Sequence, residues 1–195
     1  MNIEKDFLVV KKNALDKLSK AISEREVDDE ILPILNIING SDEYYTSSSC
    51  AGRIVLLEIP VIGDKKQAKF LGKWHRNIEP GDILSKLTKA RSGQLWLLAQ
   101  SPILHISAKT VHSADKILKT AVFCGFKNSG LKSLADKLVV EVCSTERLDS
   151  PIGRNGELFC KDRYLQMLVD ISNDVLTKSR RKLIRFEDKL KEMFK

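Results

Sequence analysis

The stretch Ser47-Ser48-Ser49-Cys50-Ala51-Gly52-Arg53 interrupts a region whose other residues are typical of a β-strand. Residues 44–46 precede it, and the apolar run at residues 54–59 follows it. Serine hydroxyls donate and accept hydrogen bonds, Gly52 allows a ligand to approach the backbone, and Arg53 offers a planar fork of donors to a carboxylate or phosphate. The sequence therefore predicts one long strand that contains either a ligand-binding loop or a simple bulge.

The composition indicates an ordinary globular protein. The chain has 195 residues, of which 43% are hydrophobic and 30% are charged, and its formal net charge is +7. This length suits one domain with its own core, no apolar run is long enough to cross a membrane, and the N-terminus lacks the features of a signal peptide. We expect a single domain over residues 1–195 in the cytoplasm, with a charge that permits a polyanionic partner.

The cysteine and glycine patterns exclude several kinds of site. Cys50, Cys124, Cys143 and Cys160 form no CxxC pair, and no histidine lies at zinc-finger spacing. We therefore expect reduced thiols and no metal site. The sequence also lacks GxGxxG and P-loop motifs, which argues against a standard Rossmann nucleotide site and against a P-loop.

Hydrophobic periodicity divides the chain into three parts. Residues 1–40 contain one amphipathic helix and a second, short helix. Residues 44–144 form the sheet core, with short strands and helices that begin near Asp82 and Ser113. Residues 148–157 are predicted to be a loop.

Residues 158–195 form a long helix whose apolar stripe either packs across the sheet or binds a partner. The order of elements gives three ββα-like units. The sequence therefore predicts an α+β fold with a mixed, largely antiparallel sheet, N-terminal helices and a long C-terminal helix.

A basic region at residues 61–91 surrounds Trp74 and His75, with eight basic residues against three acidic ones. Such charges hold phosphates, and a flat ring can stack on an unpaired base. The alternative is a solvated face, which is also the better interpretation of a second basic cluster at residues 178–185.

Two further features are candidates for chemistry. His105 lies in an apolar strand, which is more typical of a core histidine, whereas His75 is better placed for catalysis. The turn Asn128-Ser129-Gly130, next to Lys127, has the same chemical character as the serine stretch. The two stretches either converge on one pocket for an anionic or zwitterionic ligand or are two separate turns.

Taken together, the motifs resemble the family of tRNA wybutosine-synthesizing protein 3 and its archaeal homologues. The matching stretches are Ser48-Ser49-Cys50-Ala51-Gly52-Arg53, Lys73-Trp74-His75, Pro102-Ile103-Leu104-His105, Gly125-Phe126-Lys127-Asn128-Ser129-Gly130, and Pro151-Ile152-Gly153-Arg154-Asn155-Gly156 with Asn173 downstream. They cover nearly the whole chain in order. Ala51 stands where the family usually has Ser, and Gln100-Ser101-Pro102 replaces a more usual Glu-Pro.

The resemblance implies a methyltransferase that uses S-adenosylmethionine and lacks the usual Rossmann fold. Its substrate would be tRNA-Phe, methylated at the N-4 ring nitrogen of the wyosine-type tricyclic base next to the anticodon. The alternatives are a non-catalytic basic RNA-binding module and an assembly subunit whose last helix docks a partner. The sequence leaves the oligomeric state open.

The resemblance also suggests roles for individual residues. We expect His75 or His105 to accept a proton, and Trp74 to stack on the modified base or on adenine. The expected cofactor-binding residues are Ser48, Ser49, Gly52, Arg53, Lys127, Ser129 and Gly130. The other expected substrate-binding residues are Lys73, Arg76, Arg154 and Asn173.

Overall fold

The computed structural model describes residues 3–64, 66–134 and 137–195. In chain order the elements are α1 (Ile3–Ser23), a 3-10 turn (Asp29–Ile31), α2 (Leu32–Gly40), β1 (Tyr44–Cys50), β2 (Arg53–Ile59), β3 (Lys69–Trp74), α3 (Pro80–Leu87), β4 (Gln94–Gln100), β5 (Ile103–Ala108), α4 (Val111–Phe123), β6 (Gly130–Ser133), β7 (Leu138–Cys143), β8 (Leu148–Arg154), β9 (Glu157–Leu158) and α5 (Asp162–Met193). Lys65, part of the basic region found in the sequence, lies outside the described residues.

The chain folds into two compact units. The first unit comprises Met1–Ala51, Pro102–Thr145 and Arg180–Lys195, and the second comprises Gly52–Ser101 and Glu146–Ser179. Each unit has one antiparallel sheet. The α+β class, the antiparallel pairing and the long C-terminal helix are confirmed, whereas the single sheet core over residues 44–144 is wrong. That the whole chain acts as one domain stays a prediction.

The first unit has a four-stranded sheet in the order β1-β5-β7-β6. One face of the sheet supports a fully buried core. Its members include Ile34, Leu35 and Ile38 of α2, Tyr44, Leu104, Ile106, Val140 and Val142 of the sheet, Ile117 and Ala121 of α4, and Leu183, Phe186 and Leu190 of α5. On β1, Tyr45 points to the other face, where its ring lies 5.2 Å from that of Phe7 on α1. The opposite face of β1 is therefore packed against α1.

The second unit has a five-stranded sheet in the order β3-β2-β4-β8-β9. Its core lies on one face of the sheet and includes Ile54, Leu56, Leu71, Trp74, Leu95, Leu97 and Ile152, together with Ile83 of α3 and Leu165, Leu168, Val169 and Leu176 of α5. The apolar stripe of α5 is thus buried in the cores of both units. No helix in the described part of the chain is both long and apolar enough to cross a membrane.

The serine stretch does not lie within one long strand. Residues 44–50 pair with β5 in the first sheet, whereas residues 53–59 pair with β3 and β4 in the second. Between them Gly52 has a φ of +94°, a backbone conformation that favours glycine because it lacks a Cβ. The predicted strand is therefore two strands that belong to different sheets.

Residues 148–157 were predicted to be a loop, but residues 148–154 form β8. Pro151 cannot donate a backbone hydrogen bond, and it pairs with Trp96 next to a register shift between Leu95 and Trp96. The irregular pairing accommodates the proline within the sheet. The helix caps also differ: Thr110, not Ser113, caps α4, because its hydroxyl accepts a hydrogen bond from the backbone N–H of Ser113.

Candidate active site

Four residues form a row across the sheet of the first unit. Ser48 pairs with His105, His105 pairs with Glu141, and Glu141 pairs with Gly130. Residues that pair directly across antiparallel strands present their side chains on the same face. The row lies on the face opposite the core, since Leu104 and Val140, the neighbours of His105 and Glu141, are fully buried. A catalytic histidine is thus consistent with this strand although its sequence is apolar.

The side chains of the row are linked by short hydrogen bonds. Ser48 Oγ lies 2.6 Å from His105 Nδ1, and His105 Nε2 lies 2.7 Å from Glu141 Oε2. A carboxylate can only accept hydrogen bonds, so Nε2 of His105 carries a proton and donates a hydrogen bond to Glu141. In the neutral ring Nδ1 is then an acceptor, and the Ser48 hydroxyl donates to it. The lone pairs of the Ser48 oxygen remain available to another group.

Glu141 is held in its charged form. The hydrogen bond from His105, with the nearby Lys132 ammonium 3.2 Å away, lowers the pKa of Glu141 from its usual value. The side chains of His105 and Glu141 are each 27% exposed. A charged carboxylate behind a histidine fixes the ring and stabilises its protonated form.

A cleft of about 630 Å³ lies between α1 and the part of the first sheet that contains the serine stretch of β1. This volume is within the range of small-molecule sites, about 300–1,000 Å³. Its walls combine polar and apolar side chains: Val10, Asn13, Ala14, Lys17, Leu18, Ala21, Glu26, Val27, Leu35, Tyr45, Thr46, Ser47, Ser48, Ser49, Ser107, Lys137 and Val139. Ser48 therefore belongs both to the cleft and to the hydrogen-bonded row.

A β-bulge lies within the serine segment that borders the cleft. The register of β1 against β5 shifts between Thr46 and Ser48, so that Ser47 is an extra residue. Ser49 pairs with Leu104, whose side chain belongs to the core, so the side chain of Ser49 lies on the face opposite Ser48. Its buried Oγ has no hydrogen-bond partner among the described residues. Ser48, and not the hydroxyl of Ser49, is therefore the group that connects the cleft to the row.

Hydrogen bonds hold the serine segment at both ends. The backbone N–H of Thr46 donates to Asn39 Oδ1 at 2.8 Å, and Asn39 Nδ2 donates to Thr46 Oγ1 at 2.9 Å. At the other end, the backbone N–H of Ala51 donates to the Asp28 carboxylate at 2.8 Å. Asp28 lies directly before the 3-10 turn, but its side chain forms no cap bond there.

The second turn lies at the far end of the row. The Ser129 hydroxyl donates to the carbonyl of Phe126 at 2.7 Å and accepts from the N–H of Cys143 at 3.1 Å. These bonds fix the turn to β7 and place Gly130 beside Glu141. Ser129 thus has a structural role, and Lys127 is exposed. The turn and the serine stretch lie at opposite ends of one row and do not line a common cleft.

The remaining predicted site residues belong to the second unit. Arg53 donates from Nε to Gln100 Oε1 at 3.1 Å, and the Nζ atom of Lys73 lies 4.1 Å from the ring centroid of Phe70. Trp74 is only 7% exposed and belongs to the core. Its burial leaves little of the ring for a base to stack on, which argues against that prediction.

The other predicted site residues of the second unit also have defined positions. Arg76 forms an ion pair with Asp82 at 2.7 Å, and this bond lowers the pKa of Asp82. Asn173 uses both ends of its amide on the backbone of Ile78, each at 2.9 Å, and so pins the start of α3 to α5. His75 and Arg154 are exposed at the ends of their strands.

Comparison with known proteins identifies the family. The profile of the family described as Methyltransferase TYW3 matches residues 9–192. The chain belongs to the TYW3 methyltransferase family. A relative from Pyrococcus abyssi, named tRNA(Phe) 7-((3-amino-3-carboxypropyl)-4-demethylwyosine(37)-N(4))-methyltransferase 1, is 47% identical, covering 99% of this chain and 100% of its own. One from Methanocaldococcus jannaschii, named as a methyltransferase of the same type, is 42% identical over 97% of this chain and 99% of its own.

Solved structures agree with this assignment. The structure of the PH1069 protein from Pyrococcus horikoshii matches with a TM-score of 0.92 and 47% identity, covering 97% of this chain and 98% of that one. A hypothetical protein from Aeropyrum pernix matches with a TM-score of 0.74 and 30% identity, covering 85% of this chain and 98% of that one. The resemblance found in the sequence is therefore confirmed.

In this TYW3 methyltransferase two residues of the candidate site, Glu141 and Asn39, were not predicted from the sequence. A signal for Glu141 was present, because in the strand Leu138–Cys143 it is the one charged residue between two buried valines. For Asn39, only its bonds to Thr46 show that it positions the serine segment. The family assignment makes a methyl donor part of the chemistry, and the serine-lined cleft of the first unit borders the hydrogen-bonded row through Ser48.

Proposed function

We propose that this protein transfers a methyl group from S-adenosylmethionine to the N-4 nitrogen of the wyosine-type base next to the anticodon of tRNA-Phe. The substrate would be the 7-(3-amino-3-carboxypropyl)-4-demethylwyosine base named for its relatives. The observation that carries the proposal is the row Ser48–His105–Glu141, which connects a proton acceptor to the serine-lined cleft.

The donor set of the cleft fits such a cofactor. When bound, S-adenosylmethionine supplies an electrophilic methyl group on a sulfonium. The cationic side chains of Lys17 and Lys137 suit its carboxylate, and the Glu26 carboxylate can accept hydrogen bonds from its hydroxyl or amino groups. Apolar side chains on the same walls, such as Val10 and Val139, exclude water from the reacting atoms.

The row provides a route for the proton that methylation releases. Methylation of the ring nitrogen would release the proton that this nitrogen carries. The oxygen of Ser48 would accept this proton while its own proton passes to Nδ1 of His105, which lies 2.6 Å from that oxygen. Glu141 stabilises the resulting imidazolium, which later releases the proton to water.

The reaction is tested with S-adenosylmethionine that carries a labelled methyl group and two pools of tRNA-Phe. One pool comes from cells that lack this protein, where its substrate accumulates, and the other is an unmodified transcript. We expect label only in the first pool, on the tricyclic base. Binding of both pools without any transfer of label would overturn the proposal and favour a non-catalytic RNA-binding module.

A further inference from the structure

The sheet of the second unit has a second face, opposite its core, that carries aromatic and basic side chains. Leu57 on β2 pairs with Phe70 on one side and with Trp96 on the other. Directly paired residues share a face of the sheet, so the two aromatic side chains lie on the same surface. They are two strand spacings apart, roughly 9.6 Å. We call the surface of Arg53, Leu57, Phe70, Lys73 and Trp96 the aromatic face.

Phe70 is available on this surface. Its side chain is 50% exposed, whereas Trp74 on the same strand is buried in the core. Trp96 is partly exposed, and its indole N–H donates to Gln94 at 3.1 Å, a bond that fixes the ring. Within this unit α3 and residues 162–179 of α5 pack on the other face of the sheet. The exposed aromatic ring of this strand is thus not the tryptophan that the sequence suggested.

Basic groups surround the ring of Phe70. The Nζ atom of Lys73 lies 4.1 Å from its centroid, and Cζ of Arg53 lies 5.8 Å from it. Arg154 pairs with Gln94 and so lies on the same face. Two acidic residues of the described strands share this face: Asp149, which pairs with Leu98 and forms an ion pair with Arg147, and Glu157, which pairs with Arg154. They stand against three cationic residues, Arg53, Lys73 and Arg154. The face is therefore net positive.

We propose that the aromatic face binds unpaired nucleotides of the anticodon loop of tRNA. Phe70 and Trp96 supply flat surfaces on which two bases stack, and Lys73, Arg53 and Arg154 neutralise the adjacent phosphates. A sheet with spaced aromatic residues and nearby cations suits single-stranded RNA, because bases released from a helix expose their planes. This inference rests on the proposed function for the choice of tRNA as the partner.

The test measures binding of the full chain to the anticodon stem-loop of tRNA-Phe and to a duplex of equal length without unpaired bases. Affinities come from fluorescence anisotropy of labelled RNA. Phe70→Ala and Trp96→Leu are each expected to weaken binding of the stem-loop roughly 10-fold while duplex binding stays unchanged, since one stack is lost. Lys73→Ala is expected to weaken the binding of both RNAs. It should also reduce the slope of log affinity against log salt concentration by about one, because one phosphate contact is lost.

Phe123→Ala is the matched control. Phe123 is 69% exposed, and the ammonium of Lys189 lies 5.5 Å from its ring centroid, but it belongs to a helix of the first unit. Its replacement is expected to leave both affinities unchanged. Circular dichroism confirms that each variant is folded. If Phe70→Ala does not fold, Phe70→Leu replaces it in the binding measurements.

The outcomes separate the two proposals. Stem-loop affinity unaltered in both aromatic variants overturns the inference, and the face then suits a protein partner better. If methyl transfer fails in the wild-type protein while Phe70 still determines stem-loop affinity, the inference stands and the proposed function falls. If methylation proceeds with the wild-type KM in both variants, the function stands and the inference falls.

Discussion

The hydroxyl oxygen of Ser48 lies 2.6 Å from Nδ1 of His105 on the neighbouring strand. This contact joins a residue of the cleft to a histidine that does not itself line it. The bulge at Ser47 produces the contact, because it shifts the register so that Ser48 pairs with His105. In the proposed mechanism His105 is thus reached through a serine, and removal of the serine is expected to impair proton transfer without removing the histidine.

Ser48→Ala is expected to lower kcat for methyl transfer about 100-fold, within the usual contribution of general acid–base catalysis. Binding of tRNA should remain within about twofold of wild type, because the change removes one hydroxyl. Single-turnover transfer of labelled methyl measures the rate, and Ser23→Ala, which removes an exposed hydroxyl at the end of α1, is the control. A wild-type rate in Ser48→Ala would contradict the relay.

His105→Gln and His75→Gln decide between the two histidines nominated by the sequence. His105→Gln should lower kcat about 100-fold or more, since the group that accepts the proton is lost. His75→Gln should retain the wild-type kcat, because His75 lies outside the row. The opposite pattern would transfer the role to His75, and an unchanged kcat in both variants would exclude a histidine base.

The pKa of Glu141 gives a pH-dependent contribution to stability. The hydrogen bond from His105 lowers the pKa of Glu141 below its ordinary value of 4.5, so the charged form favours the folded state. This contribution is present above about pH 4.5 and disappears as the pH falls through the lowered pKa. Glu141→Gln should reduce the free energy of unfolding by about 1 kcal/mol at pH 7 and by little at pH 3.

Urea unfolding at both pH values measures this difference. Glu192→Gln removes one partner of the Lys189–Glu192 ion pair on α5, whose carboxylate side chain is 60% exposed. An exposed pair contributes little, so this control should change stability by less than about 0.5 kcal/mol. A deficit in Glu141→Gln that persists unchanged at pH 3 would show that the charge is not its cause.

The sequence was sufficient to predict most helices and strands, but it was not sufficient to predict which strands pair with one another. Periodicity identified most helices and strands, because it reports which side of an element is buried. It could not show that residues on either side of Gly52 enter different sheets, since strand pairing is decided by contacts distant in sequence. The strand that contains Pro151 was missed for a related reason: the bulge that accommodates the proline depends on its partner Trp96.

The candidate site shows the same division. Ser48, Ser49 and His105 were proposed as site residues from residue type and family resemblance, and this stays a prediction. Glu141 joined the candidate site only when the pairing of β5 with β7 placed it beside His105. Trp74 was misplaced because a tryptophan among lysines is typical of a binding surface. Alternation along β3 decides which face of the sheet Trp74 occupies, and that face is the core. The exposed aromatic residue of β3 is Phe70.

Gly72→Ala tests the packing of Trp74. A Cβ at residue 72 would overlap the indole ring of Trp74, so the ring or the strand has to move. Overpacking of this kind is expected to reduce the free energy of unfolding by about 1–3 kcal/mol. Gly81→Ala is the control, because a Cβ there meets nothing within 4 Å and alanine favours the helix. Thermal unfolding should show a lower midpoint for the first variant and an equal or higher one for the second.

The last helix offers a test of whether it docks a partner or completes the fold. Leu183, Phe186 and Leu190 are buried in the core of the first unit, and the ring of Phe186 lies 5.7 Å from that of Phe126. Phe186→Ala is therefore expected to lower the free energy of unfolding by about 3–5 kcal/mol. Ile184→Ala, which truncates a side chain that is 61% exposed on the same helix, should change it by less than about 1 kcal/mol.

Deletion of residues 180–195 extends this test. A helix that only docks a partner could be removed without loss of the fold, and the shortened chain would still unfold cooperatively. A helix that supplies core side chains cannot, so we expect the deletion to abolish cooperative unfolding of the first unit and, with it, methyl transfer. A shortened chain with wild-type stability would contradict the packing of Leu183, Phe186 and Leu190 and would restore the docking role.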